Sequence, residues 1–301
     1  MKKKIRIVVI LIAAAVFLFY AYKLISYLAF GEMNRQENEE LVLEAVTVNP
    51  DFWETDESDG PKTVPDAALP APNVTESDTL DVGGNASVPD NAGESGKTDK
   101  TGGKQREIRK PETPISVDFN VLRRKNEDVI AWLYQADTQI NYPILQSDDN
   151  AYYLRRSFDR KYNVYGCLYL DHRCAADYSD NLSVIYGHEA KNGSMFGSLA
   201  GYKKQEYYDT HKVMYLLTPE GNYRVRVFAG IIARTTSRYF AIPATDEKLA
   251  ERIHEAIENS TFKSDVREEE IGRVLMLTTC TYEFANARYL VFGTLEPIEG
   301  E

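Results

Sequence analysis

Apolar positions are distributed along the chain in three distinct ways. From Ile7 to Tyr22 sixteen residues pass without a charge, and after Lys23 the run resumes from Leu24 to Phe30. A bilayer core takes up roughly 20 helical residues, so Ile7–Phe30 predicts a transmembrane helix with Lys23 reaching the interface along its alkyl stem. Lys2, Lys3, Lys4 and Arg6 precede this run, and Glu32, Glu37, Glu39 and Glu40 follow it. That asymmetry puts the N-terminus in the cytoplasm. A cleaved signal peptide shares the charged start, but the run is long for a signal core and no clear small-x-small site follows it. The second pattern is an absence: Glu54 to Asp118 contains no aromatic residue. Its Asp, Glu, Gly, Ser, Thr, Pro, Asn and Ala cannot bury enough apolar surface to offset the entropy of ordering. The expectation is a cytoplasmic tip and anchor over 1–31 and an acidic disordered linker over 32–114, with weak helical character from Glu32 to Val48. About 60 flexible residues give the linker a reach of about 40–50 Å.

The third pattern is that of a folded domain, 115–301. Phe119, Val121, Leu122, Val129, Ile130 and Leu133, with Asp118 as N-cap, predict a helix followed by a strand. Asp149–Arg156 reads as another short helix. Thereafter β patterning dominates in 167–173, 181–187, 212–218, 222–233, 273–280 and 288–295, all rich in Val, Ile, Tyr, Phe and Thr. Pro219-Glu-Gly-Asn222 is a hairpin turn. Leu249, Ile253 and Ile257 recur at a spacing of four, which predicts an amphipathic helix over 246–260. A mainly β, closed barrel with inserted helices suits this order better than alternating βαβ units.

Charge follows the same division: +5 over 1–31, −11 over 32–114 and −5 over 115–301, for a net −11. An acidic balance with no basic cluster beyond the first residues argues against nucleic acid as a partner. Three cysteines are too few for a disulfide scaffold.

Candidate chemistry centres on Cys280, which ends the apolar run Val274-Leu-Met-Leu-Thr-Thr at a strand edge. Alone it could equally be a small core hydrophobe. His188 changes the balance. Gly187 before it and polar turn residues after it set the imidazole at the end of another strand. If the two meet, the imidazole can exchange a proton with the thiol, and the thiolate is a strong nucleophile. Arg288, at the start of the next strand, supplies a fixed positive charge for a developing oxyanion. Such a trio without a metal points to acyl transfer.

At these positions the sequence resembles the sortases, specifically class B. The resemblance lies in Tyr186-Gly-His188, Asn192-Gly-Ser-Met-Phe-Gly-Ser-Leu199, Leu277-Thr-Thr-Cys280-Thr-Tyr-Glu-Phe284 and Ala287-Arg288. Asp149-Asn-Ala-Tyr-Tyr-Leu154 and Tyr165-Gly-Cys-Leu-Tyr-Leu-Asp171 add to it. It spans about 116–296 and implies an eight-stranded sortase barrel on the outer face of a Gram-positive-type membrane. It further implies a cofactor-free cysteine transpeptidase. Such an enzyme cleaves a C-terminal sorting motif of surface proteins after Thr and passes the acyl group to an amine of a peptidoglycan precursor or a pilin. By position, Cys280 is the nucleophile, His188 the general acid and Arg288 the carbonyl stabiliser. Asn150, Leu154, Tyr186 and Thr278 match positions lining the peptide groove, and the 246–260 helix matches an insertion that helps select the peptide. Met276 stands where the family usually has Thr, a packing change on a buried strand. Glu189, Ala190 and Asn192 also depart from the commoner residues, which bears on peptide preference more than on the reaction. The alternatives are a pilin-polymerising sortase of the same class and an inactive tethered binding module.

Cys167 and Cys174 read as a core cysteine and an exposed loop cysteine, ahead of a disulfide or a metal site, since their spacing fits no zinc motif. His211 and His254 read as surface or capping residues, and Glu268–Glu270 as a solvated turn.

Overall fold

The computed structural model describes residues 2–53, 112–190 and 192–298. One helix, Lys2–Ala45 (α1), carries the chain from its apolar start to the domain. Its apolar stretch, with Ile10, Leu11, Phe17 and Tyr22 exposed, is long and apolar enough to cross a membrane by length and composition. Its distal part behaves differently. Leu41, Val42 and Ala45 form a stripe that is almost fully buried against the domain.

Val46–Val48 (β1) then pairs antiparallel with Ile115–Val117 (β2). The Asn49 N–H and side-chain amide donate to the Pro114 and Thr113 carbonyls at 2.9 and 2.8 Å. Residues 32–53 are therefore a docked arm rather than the beginning of a disordered linker, because one helical face there is apolar enough to be buried. The remainder of the expected linker, 54–111, lies outside the described residues.

Phe119–Lys125 (α2) starts as its sequence suggests, with Asp118 Oδ1 accepting from the backbone N–H groups of Asn120 and Val121 at 2.9 and 3.2 Å. The barrel strands follow: Val129–Tyr134 (β3), Asn141–Leu145 (β4), Leu168–Leu170 (β5), Leu182–Tyr186 (β6), Val213–Leu217 (β7), Asn222–Arg234 (β8), Val274–Cys280 (β9) and Ala287–Ile298 (β10). Their order around the closed barrel is β10-β8-β7-β3-β4-β5-β6-β9, as an eight-stranded mainly β fold requires. Two neighbouring pairs, β4–β5 and β6–β9, are parallel.

Side chains alternate across β3, with Ala131 and Leu133 inside the barrel and Trp132 and Tyr134 outside beneath the arm. Both faces are covered, which explains a run with no polar alternation. Thr218 closes the β7–β8 hairpin, its hydroxyl donating to the Gly221 carbonyl at 2.6 Å.

Gln205–Thr210 (α3) precedes β7, and Asp246–Glu258 (α4) is inserted between β8 and β9. The α4 N-cap is Thr245, and Leu249, Ile253 and Ala256 face the barrel. The helix expected over Asp149–Arg156 is only a single 3-10 turn, Tyr153–Arg155. The Asp149 carboxylate instead takes the N–H groups of Ala151 and Tyr152, each at 2.7 Å, and turns the chain.

Candidate active site

Strand register alone gathers the three reactive candidates. In the parallel β6–β9 pair, Tyr186 lies opposite Thr278. Two residues further along each strand come His188 and Cys280, and the Gly187 N–H still donates to the Thr278 carbonyl at 3.1 Å. On the other flank of β9, Cys280 is the direct antiparallel partner of Arg288. Paired residues on adjacent strands share a face, and neighbouring strands lie about 4.8 Å apart. The thiol thus stands between the imidazole and the guanidinium at one end of the barrel. All three line a single groove of about 430 Å³ with Leu154, Tyr186 and Thr278.

Gly187 allows this approach. A Cβ there would come within 2.4 Å of both Leu168 Cδ2 and Phe196 Cδ2. His188 is consequently tucked in, its carbonyl accepting from the Phe196 N–H at 3.0 Å and its ring edge-on to Tyr165 with centroids 5.0 Å apart. Its Nε2 is covered and has no hydrogen-bond partner among the described residues. Burial, and secondarily the nearby Arg155 charge, hold its pKa below the ordinary histidine value. Cys280 is partly exposed, unlike the other two thiols. The groove therefore offers a reachable sulfur, an imidazole that gives up its proton readily and the fixed charges of Arg155 and Arg288.

The wall beside Tyr186 is braced from behind. Tyr186 and Tyr169 are opposite each other across β5–β6 and stack at 5.3 Å. The Tyr186 hydroxyl donates to Asp171 Oδ2 at 3.0 Å, and Arg173 Nε and Nη2 donate to the same carboxylate at 2.9 and 2.7 Å. Burial alone would raise the Asp171 pKa, but these donors bring it down to about 2. Tyr169 is pushed up to about 12, first by burial and then by Asp171, with Arg288 acting in the opposite sense.

Asn150, expected in the groove, does not line it. Its Oδ1 accepts from the His172 N–H at 2.9 Å, so it holds the loop that carries Asp171. Cys174, expected in an exposed loop, is buried, as is Cys167, and neither is paired. Burial pushes the Cys167 thiol well up and raises Cys174 to about 11. No cluster of metal ligands occurs among the described residues. His211 stacks on Tyr207 behind α3, and the exposed His254 pairs with Glu258 and Glu268. The sequence gives little sign of Arg155, Tyr165, Thr235 or Phe240 as groove residues; the last two come from the segment leading to α4.

No family model matches the chain. Against curated proteins it is 31% identical over 180 residues to Sortase B of Listeria monocytogenes, covering 58% of this chain and 72% of that protein. The chain belongs to the class B sortases. Solved relatives agree. The Staphylococcus aureus sortase B–substrate complex matches with a TM-score of 0.56 at 27% identity, covering 60% of this chain and 85% of that one. Sortase B from Bacillus anthracis matches with a TM-score of 0.54 at 29% identity, covering 60% and 84%. As a sortase, the chain is a cysteine transpeptidase, and the groove end of β6, β9 and β10 is where this fold gathers a thiol with basic partners.

Proposed function

We propose that this sortase is held in the membrane by α1, N-terminus inside, and works on the outer face. There it cleaves a C-terminal sorting motif of surface proteins after Thr. The Cys280 thiolate adds to the Thr carbonyl carbon, and the oxyanion is held by Arg288. His188, protonated, gives its proton to the departing amine as the C–N bond breaks, leaving a thioester on Cys280. An amine of a peptidoglycan precursor then attacks. Neutral His188 takes its proton, the C–S bond breaks and the thiolate returns.

The observation that carries this reading is the lining of one groove by Cys280, His188 and Arg288, brought together by register from separate strands. Leu154, Tyr186 and Thr278 would contact the peptide, and Asn150 would act on it only through the His172 loop. Incubating the enzyme with a library of sorting peptides and locating the acyl adduct by mass spectrometry tests the assignment. The adduct should fall on Cys280, and Cys280→Ala should abolish transfer while changing stability by no more than about 1–2 kcal/mol. Transfer surviving in that variant refutes the nucleophile.

A further inference from the structure

Counting along α1 shows which end of the domain meets the bilayer. At about 1.5 Å per residue, a hydrocarbon core of about 30 Å consumes about 20 residues, so a span entered at Ile7 ends near Tyr27. The helix first touches the domain there. The Tyr27 ring lies 5.0 Å from Tyr165 and the Phe30 ring 5.8 Å from Tyr162, and Gly31 packs against the Tyr165 phenol. Deeper contacts follow in order. The Asn34 side-chain amide donates to the Gly166 carbonyl at 3.1 Å, Glu37 accepts from the Phe158 and Asp159 N–H groups, and Glu40 and Glu44 pair with Lys125. The domain therefore presents the segment 154–166 to the membrane, and with it one rim of the groove.

That segment runs against the acidic average of its domain. Arg155, Arg156, Arg160 and Lys161 oppose only Asp159, a local +3 within a region of −5. Arg160 is committed to Asn126 and Asp128 and holds the loop in shape. Arg155 and Arg156 have no carboxylate partner within ion-pair distance among the described residues. The Lys161 side chain is 74% exposed and pairs with the surface residue Asp159. Tyr162 is 62% exposed beside them. Two residues past Cys280, Tyr282 is 70% exposed, with Glu189, Cys280 and Tyr27 among the groups near its phenol. Of the α1 acids, Glu32 and Glu39 are paired with Arg35 and Glu40 and Glu44 with Lys125, while Glu37 sits against the Phe158 and Asp159 N–H groups and offsets one charge, which leaves the loop about +2.

Resting on the anchored reading above, we propose that the loop 155–162 is a membrane-docking surface for anionic phospholipid headgroups. Arg156 and Lys161 bind lipid phosphates, and Tyr162 and Tyr282 settle at the headgroup level where tyrosine is favoured. The groove beside them then opens at the level of the headgroups, and the domain is fixed to the bilayer at two points instead of swinging from one.

The test uses the full chain carrying Tyr162→Trp, reconstituted into nanodiscs of phosphatidylcholine with or without phosphatidylglycerol. The new indole is read by quenching from a headgroup-level spin-labelled lipid. Quenching should strengthen with phosphatidylglycerol and reverse in high salt. The docked-to-free ratio should fall about fivefold for each of Arg156→Ser and Lys161→Ser, the fold-change of about one basic contact with an anionic surface. A chain that resists alkaline extraction, yet is quenched equally in both lipids and in both variants, overturns docking while leaving the anchor intact. A chain removed by that extraction refutes the anchor, and docking with it.

Discussion

The sharpest test of the docked arm is a pair of substitutions on one helix. Leu41 is 3% exposed and belongs to the cluster beneath α1 that contains Trp132, Leu145 and Tyr153. Leu43, two residues on, is 67% exposed. Both changes to Ala raise helix propensity slightly, so propensity cancels between them. Leu41→Ala removes buried methyl groups and leaves a cavity between helix and barrel, which costs roughly 2–4 kcal/mol. Leu43→Ala should stay within about 0.5 kcal/mol. In a fragment starting at Glu32, a loss of that size lowers the melting temperature by roughly 4–16 °C, at about 2–4 °C per kcal/mol for a domain of this length. Urea unfolding followed by tryptophan fluorescence is well placed to see it, because Trp132 sits in the same cluster. Equal midpoints for the two variants would mean that the helix does not pack on the barrel in solution, and the account of residues 32–53 would fail.

Three further outcomes follow from the site. Gly187→Ala puts a methyl group into Leu168 and Phe196; it should cost about 1–3 kcal/mol and lower turnover further by displacing His188, whereas unchanged turnover and melting would refute that packing. Arg155→Gln removes one of the two causes holding the His188 pKa down; an NMR titration of the ring should show it rising, but short of the ordinary value because burial remains. Since the folded state holds that proton less tightly than the unfolded chain, the domain loses stability as pH falls below about 6.5, and the variant should lose less. Asp171 has its folded pKa depressed to about 2, so its contribution is complete above the unfolded value and disappears as pH falls from about 5 towards 2. Asp171→Asn should flatten that limb of a stability-against-pH curve, and an unaltered slope would rule out the Arg173–Asp171–Tyr186 link.

The strands of the second half were legible because each is a short β-branched and aromatic run closed by a turn, and Asp118 acts as the cap its position suggests. Of the groove, Cys280, His188 and Arg288 were legible as candidates, since a Cys, a His and an Arg at strand ends carry their own chemistry. What the sequence concealed was relational. Strand β4 contains Pro143, which weakens any strand reading; its pairing with β5 begins only at Ile144. Strands β1 and β2 are three residues each and exist because each has the other, across a segment of more than sixty residues. Asn150 and Leu154 look equivalent as a motif, yet the first is turned onto the His172 loop while the second faces the groove. Cys174 stands in a polar stretch and is nevertheless covered by the barrel. Such facts depend on which surfaces meet, and no local pattern encodes them.

The position of Arg288 has a consequence for when this enzyme can act. The residue lies near the start of β10, the final strand, which bridges β8 and β9 and so completes the ring. Until β10 pairs with β9, the thiol has no guanidinium beside it and its strand has an open edge. Closing the barrel and completing the groove around Cys280 are therefore one and the same event.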